Sequence, residues 1–243
     1  MQYFYYGEVS STMDTARQLL TQGVCAPFVV RADMQTQGRG RQENIWISPA
    51  GNLFFSYVRE TNTIACDVSL ASLWIALSLK EIMSKLFPCL VGKICIKWPN
   101  DILIEGQKVA GILIEPFSVT RRDTIVIGIG FNIVNCKDQR TRSFSATALE
   151  NYVEKSPSAE ALLQSIIDPL EAALGQTSSI VKESIMHQAP QMYLYNQPVK
   201  IYQGAKCYEG IFAGLDSNGY LILQSRGKTQ HFASGSLRSC DTD

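Results

Sequence analysis

The run Thr124-Ile-Val-Ile-Gly-Ile-Gly-Phe-Asn-Ile133 constrains this chain more than any other stretch. It is strongly β-prone and carries no charge, which predicts a central strand of a sheet. Gly128 and Gly130 weaken such a strand, and they make sense where something must come close to its backbone. A β-bulge is the alternative explanation.

Around this strand the sequence alternates between two patterns. Tyr3–Tyr6 reads as a strand, and Ser10-Ser11-Thr12 as the capped start of a helix with Ala16, Leu19 and Leu20 on its apolar side, ended by Gly23. Phe28–Val30 and Asn52–Val58 read as strands, and between them lies a polar stretch, Gln35–Ile47, without useful periodicity. Leu70, Leu73, Trp74, Leu77 and Ile82 follow helical spacing after Asp67 or Ser69 as cap, and Lys80, Glu81 and Lys85 give that helix a wet face. Ile94–Lys97 looks extended, and Ile102–Ile104 and Val109–Ile114 flank a hairpin turn at Glu105-Gly106. Helices are predicted over Ala159–Leu174, which Pro169 should kink or divide, and over Ser178–His187.

Beyond Ala189-Pro190 the character changes to short alternating runs, Val199–Tyr202, Glu209–Phe212, Tyr220–Leu223 and Gln230–Phe232. Asp216–Gly219 and Ser225–Gly227 punctuate them as turns. The pattern fits a small antiparallel β barrel, too small to be stable alone and so expected to dock on the larger domain. The fold class is therefore α+β: a mixed β-sheet backed by helices over residues 1–190, and a barrel over residues 195–243.

Composition narrows the function. With 22 basic and 22 acidic residues the formal charge is zero, against the basic excess of a general nucleic-acid binder. No window reaches the apolar length of a membrane span, and the first residues lack the basic start and apolar core of a secretory signal. Cys25, Cys66, Cys89, Cys95, Cys136, Cys207 and Cys240 are scattered without a C-x-x-C pair, and His187 and His231 lie far apart in sequence. A protein metal cluster is therefore not expected, and reduced, buried cysteines in a cytoplasmic protein are.

Four segments carry chemistry. Gln35-Thr-Gln-Gly38-Arg39-Gly40-Arg41 combines two glycines, which let backbone approach a ligand, with two forked, permanently charged donors suited to phosphate or carboxylate. It lacks the spacing of a Walker loop and the third glycine of a dinucleotide fingerprint, and by itself it also reads as a solvated surface loop. Lys97-Trp98-Pro99-Asn100-Asp101 places a lysine at the end of a strand, a point charge for an anion. In Gln107-Lys108-Val-Ala-Gly111-Ile, Lys108 alone would be read as a surface lysine. Gly128-Ile-Gly130-Phe-Asn132 adds an amide offering both donor and acceptor, as a purine edge requires.

In this order, with Ser11-Thr12 before them and Trp46, Ser48 and Pro49 between, these segments resemble the biotin protein ligases from about Tyr6 to Leu149. Lys97-Trp-Pro-Asn-Asp101 is the most specific element. The C-terminal runs are similar to the SH3-like domain of that family, and the resemblance implies a catalytic fold like that of the class II aminoacyl-tRNA synthetases.

The resemblance implies a two-step ligase. Biotin and ATP give biotinyl-5′-AMP and pyrophosphate, and a lysine of a biotin carboxyl carrier protein, as in acetyl-CoA carboxylase, then displaces AMP. Bringing a carboxylate to an anionic α-phosphate requires cations that neutralise and align both. The implied biotin-binding residues are Ser11, Thr12, Met13, Gln35, Gly38, Arg39, Gly40, Arg41, Lys97, Trp98 and Gly111. Arg39, Arg41, Trp46, Lys97, Asn100, Lys108 and Asn132 would bind ATP. Lys97, Arg41, Asp101 and Lys108 would be catalytic, and Mg²⁺ would arrive with the nucleotide rather than on a protein cluster.

Four departures from the family pattern stand out. Met13 occupies a position where many bacterial members carry Asn, and Gln42-Glu43-Asn44 makes the loop less cationic than in some relatives. Ser48–Asn52 is one residue shorter, and no room exists before Tyr3 for the DNA-binding domain of the repressor members. A monofunctional ligase that binds neither DNA nor membrane is therefore expected. Homodimers occur in the family, and the hydrophobic edge of Thr124–Ile133 is the surface considered for one. A lipoate or octanoate transferase of related fold and a non-catalytic biotin-binding module are the alternatives.

Overall fold

The computed structural model describes residues 1–243 except 64–67, 120–121, 136–144 and 241–243. Twelve strands and four α-helices are present among the described residues. Seven strands form one sheet: β1 (Gln2–Val9), β2 (Phe28–Gln35), β3 (Leu53–Glu60), β4 (Ile94–Lys97), β5 (Asp101–Ile104), β6 (Gln107–Val119) and β7 (Arg122–Phe131), in the order β1-β2-β3-β7-β6-β5-β4. The β1–β2 pair is parallel and the others antiparallel, so the sheet is mixed.

The strand singled out in the sequence is the fourth of seven, and Ile125, Val126, Ile127 and Ile129 are each at most 2% exposed. Its register with β3 and β6 runs without a shift, which excludes the bulge. Alternation along it separates two cores. Ile125, Ile127 and Ile129 face the large core with the helices α2 (Val68–Leu86), α3 (Ala159–Leu174) and α4 (Ser178–Gln188). Val126 faces the smaller core of α1 (Thr12–Thr21), formed with Met13, Ala16, Leu19 and Leu20. Gly128 and Gly130 share the parity of Val126 and so open onto the α1 side, which is where the site forms.

The last five strands, β8 (Pro198–Gln203), β9 (Lys206–Leu215), β10 (Leu221–Ser225), β11 (Lys228–Phe232) and β12 (Ser236–Ser239), form an antiparallel sheet in the order β11-β10-β9-β8-β12. Val199, Ile201, Phe212, Leu221, Leu223 and Leu237 join the large core, so this sheet is docked rather than free. The seam includes a hydrogen bond from the Trp98 indole Nε1–H to the Gly219 carbonyl (3.0 Å), across 121 residues of sequence. Gly219 has φ +72°, and a Cβ there would run into Leu70, so only glycine permits this approach.

Several expectations need correction. Pro169 neither divides nor ends α3, which runs unbroken from Ala159 to Leu174. Pro169 lies on the exposed side of the helix, while Leu162, Ile166, Leu170 and Leu174 hold the other side in the core. The Ser11 side chain does not cap α1; its backbone carbonyl accepts from Thr15 instead. The helix-capping role given to Asp67 lies outside the described residues, as do Cys66 and Cys136. The other five cysteines form no disulfide with one another and, against expectation, are not buried: Cys25, Cys89 and Cys207 are exposed and Cys95 and Cys240 half-buried, because they sit in loops, on the edge strand β4 or at the small sheet and its end. The edge considered for a homodimer does not exist, since β7 is paired on both sides and the outermost strands of its sheet are β1 and β4. A fifth C-terminal strand, β12, was not foreseen.

Replacing Trp98 by Phe keeps the ring in the seam and removes the donor to Gly219. The variant should lose about 1–2 kcal/mol of stability, read as a lower urea midpoint with an unchanged denaturant slope.

Candidate active site

The segment read as an irregular loop is a short hairpin standing over the sheet. Gly40 N–H donates to Asn44 O (2.7 Å), Trp46 N–H to Gly38 O (2.9 Å) and Gln35 N–H to Ser48 O (3.2 Å). Gly38 is needed because a Cβ would collide with the Trp46 carbonyl and lie 2.6 Å from Ser48 Oγ. Sequence periodicity missed this hairpin because its pairing is only a few residues long and its tip, at Gln42, has φ +53°.

What comes close to the glycines of β7 is protein. Gly111 of β6 and Gly130 of β7 are directly paired, and together they make a seat without side chains for the Trp46 indole. A Cβ on Gly130 would lie 2.5 Å from Trp46 Cε2, and one on Gly111 3.0 Å from Cζ3. The Lys108 ammonium lies over the Trp46 ring, 4.9 Å from its centroid, so it is not the free surface lysine that its sequence context alone suggested. Met13 of α1 covers Gly128 in the same manner, with Sδ 2.7 Å from where a Cβ would stand.

Between hairpin, α1 and sheet lies a cleft of about 660 Å³. One end is uncharged and polar. Gln35 Oε1 accepts from the Thr12 N–H (2.9 Å) and Oγ1 (3.2 Å), and Gln35 Nε2 donates to Ser48 Oγ (2.9 Å). Ser56 Oγ donates to Thr12 Oγ1 (2.8 Å) from beneath, and Ser11 lines the same end.

The other end is cationic. Lys97 ends β4 and pairs in register with Asp101 of β5, whose carboxylate meets Lys108 Nζ at 2.6 Å. Arg41 Nη1 donates to Asn100 Oδ1 (3.1 Å) and the Gly235 carbonyl (3.4 Å), while Asn100 Nδ2 holds the Ile112 carbonyl (2.7 Å). Burial lowers the Arg41 pKa, against the attraction of Asp101. Burial likewise pushes Lys97 down to about 8; Asp101 opposes this, and the neighbouring charges of Lys108 and Arg238 add to it. An ammonium only 8% exposed and crowded by other cations gains most from an anion brought beside it.

All the residues expected from the sequence line this cleft or its wall except Gly38, which shapes the hairpin behind it. Several are already occupied. Trp98 spends its indole donor on Gly219. Asn132 Nδ2 donates to the Thr147 (3.0 Å) and Lys108 (3.4 Å) carbonyls. Arg39 Nη2 is held by Asp14 Oδ1 (2.9 Å) and Glu115 Oε2 (3.3 Å), and Arg17 pairs with the same two carboxylates. Sequence reading also missed Gly235, Ser236, Leu237, Arg238 and Ser239, which bring the second sheet into the cleft. No local signal marks them, because their role depends on how the two sheets dock. Among the described residues no group of three or more His, Cys, Asp and Glu could hold a metal ion.

Comparison with known proteins accords with this arrangement. Residues 6–132 match the model of the biotin/lipoate A/B protein ligase family, and residues 195–236 that of the biotin protein ligase C-terminal domain. The chain belongs to the biotin/lipoate A/B protein ligase family. It is 31% identical over 216 residues to the bifunctional ligase/repressor BirA of Escherichia coli, an alignment covering 86% of this chain and 66% of BirA, just under two thirds of that relative's length. It is 28% identical to the biotin–[acetyl-CoA-carboxylase] ligase of Paracoccus denitrificans, covering 84% of this chain and 87% of the relative. The biotin protein ligase of Aquifex aeolicus, solved in complex with biotin and ATP, shares the fold with a TM-score of 0.83 at 24% identity, covering 98% and 99% of the two chains.

The lysine at the cationic end gives a pH signature. Unfolded, Lys97 keeps its proton up to about pH 10.5; folded, it releases it near 8. Between those values the unfolded chain binds more protons, so stability rises with pH across the window and the gain is lost again as pH falls through 8. Lys97→Met should flatten this rise by about 2–3 kcal/mol, measured as urea-unfolding free energies of both proteins from pH 7.5 to 10.5.

Proposed function

We propose that this chain is a biotin protein ligase: it activates biotin with ATP to biotinyl-5′-AMP and transfers biotin to a lysine of a carboxylase carrier domain. Family membership supports the class, and the observation that carries the mechanism is the buried Lys97 beside Asp101, Lys108 and Arg238, with Arg41 lining the same cleft, whose other end is uncharged. An elongated acid with a polar head and a carboxylate tail fits those two ends in one orientation.

In the first step a biotin carboxylate oxygen attacks the α-phosphorus, the bond to the bridging oxygen of the β-phosphate breaks, and pyrophosphate leaves. Two anions must meet, and in a water-poor cleft fixed cations relieve that repulsion far better than solvent does. Lys97 faces both anions, and Arg39 and Arg41 order the hairpin over the acyl group and phosphate. Ser11, Thr12, Met13 and Gln35, with the backbone of Gly38, Gly40 and Gly111, receive the ring end, and Trp98 closes the wall. Trp46 stacks on the adenine, with Asn100, Asn132 and Lys108 about the nucleotide. In the second step a carrier amine attacks the acyl carbonyl and AMP departs. Asp101, held by Lys108 at 2.6 Å, is the carboxylate positioned to take the proton of that amine. Mg²⁺ would be bound by the triphosphate oxygens, since the residues here are cationic rather than metal-ligating.

The finer architecture belongs to the same reading: a class II synthetase-like catalytic domain over residues 1–190, and a C-terminal sheet over 195–243 closed as an SH3-like barrel. Such an enzyme works in the cytoplasm, where ATP and carrier are made, and needs neither DNA nor membrane. A homodimer would use an edge other than that of β7.

Purified protein given biotin, ATP and Mg²⁺ should yield biotinyl-AMP by mass spectrometry, then a biotinylated carrier lysine; lipoate in place of biotin should not react. Lys97→Ala should fold and lower the rate of biotin-dependent pyrophosphate release by at least about a hundredfold. A folded Lys97→Ala protein of ordinary rate would remove Lys97 from the mechanism, and formation of a lipoyl adenylate instead would move the chain to the other branch of its family.

A further inference from the structure

Four charged side chains meet beside the first arm of the hairpin. Arg39 comes from the hairpin itself, Asp14 and Arg17 from α1, and Glu115 from β6. Arg39 Nη2 meets Asp14 Oδ1 at 2.9 Å and Glu115 Oε2 at 3.3 Å. Arg17 Nη1 meets the same Asp14 oxygen at 3.2 Å, and its Nη2 pairs with the same Glu115 oxygen. Each carboxylate is thus shared by two guanidinium groups, and the quartet is neutral.

Three of the four are fixed to the body of the domain. α1 is held by Ala16, Leu19 and Leu20 in the smaller core, Glu115 pairs in register with Val126 of β7, and Arg17 lies over Phe117 of β6, 5.9 Å from its ring centroid. Arg39 lines the cleft, whereas Asp14, Arg17 and Glu115 do not; Glu115 stands two residues beyond Leu113, where β6 leaves it. The carboxylates therefore reach the cleft only through Arg39. If the hairpin lifts, Arg17 is left with two carboxylates, a group of net charge −1 that draws Arg39 back. The four side chains are 25–42% exposed, so salt can screen this attraction.

Resting on the reading given under Proposed function, we propose that Glu115 and Asp14 are positioning residues which, through Arg39, latch the hairpin over the cleft in the ligand-free chain as well as in the loaded one. The latch gates passage in both directions. A side chain that touches the ligand alters the affinity and the exit rate. A latch common to both states alters entry and exit together and leaves the affinity nearly alone, because closing is weakened equally with and without ligand.

The full-length chain and its Glu115→Gln and Asp14→Asn variants, each checked for folding by circular dichroism, would be compared in two ways. Stopped-flow tryptophan fluorescence gives the association and dissociation rates of biotin, and mass spectrometry gives the hydrogen exchange of residues 38–46 without ligand. Glu115→Gln should raise both rates about three- to fivefold, raise the exchange by a similar factor and leave Kd within about twofold. Asp14→Asn should act in the same direction. Raising KCl from about 50 to about 500 mM should speed both rates in the unaltered chain and have a smaller effect on Glu115→Gln. A Kd that rises while the association rate stands still would make Glu115 a ligand-side group and overturn the latch. Rates and exchange that do not change in the folded variants overturn it too. An unaltered chain that binds no biotin overturns the reading under Proposed function, and the hydrogen exchange of the hairpin then decides the latch by itself.

Discussion

Everything in the site depends on a backbone left bare in the middle of the sheet. β7 is buried on one face by the isoleucines of the large core, while on the other face Gly128 and Gly130 remove the side chains that would fill the space. With Gly111 opposite Gly130, the bare area spans two strands. Met13, Trp46 and, through Trp46, Lys108 settle there, which fixes the walls of the cleft before any ligand is considered. The loss of strand stability at each glycine is offset by the packing it admits.

The electrostatics follow from the same arrangement. A lysine at the end of an edge strand would ordinarily bend into solvent. Here the hairpin, the β12 strand and the Asp101–Lys108 pair enclose it, and the ammonium is left partly desolvated among other cations. Such a cluster is poised for anions: each incoming negative charge relieves both burial and mutual repulsion. Arg39, by contrast, is balanced by Asp14 and Glu115, so its charge anchors the base of the hairpin.

Much of this was legible residue by residue. The β-prone runs and helical spacings located every strand of the large sheet and all four helices, though β2 and β6 each run five residues past the stretches read from the sequence, because burial on one or two faces leaves its period in the sequence. That Lys97, Asp101 and Lys108 belong to one cleft could be expected from the order of the motifs, and the cleft they line is the one found. Less legible were features whose cause is contact between distant segments. Pro169 stays within a helix because the core holds its other side. The glycines of β7 could be recognised as marking a close approach, but not that Met13 and Trp46 would be the approaching groups.

The amino-acid sequence by itself determined where the strands of the large sheet and the four helices lie, and which residue types could handle a carboxylate and a phosphate, since these follow from local periodicity and side-chain chemistry. The tertiary structure alone decided that Arg41 reaches Gly235 across 194 residues, that Trp98 binds the Gly219 turn, and that Arg238 sits near enough to Lys97 to weigh on its proton. Those contacts exist only because two sheets share one core, and the docking of one sheet on another leaves no periodic trace in either.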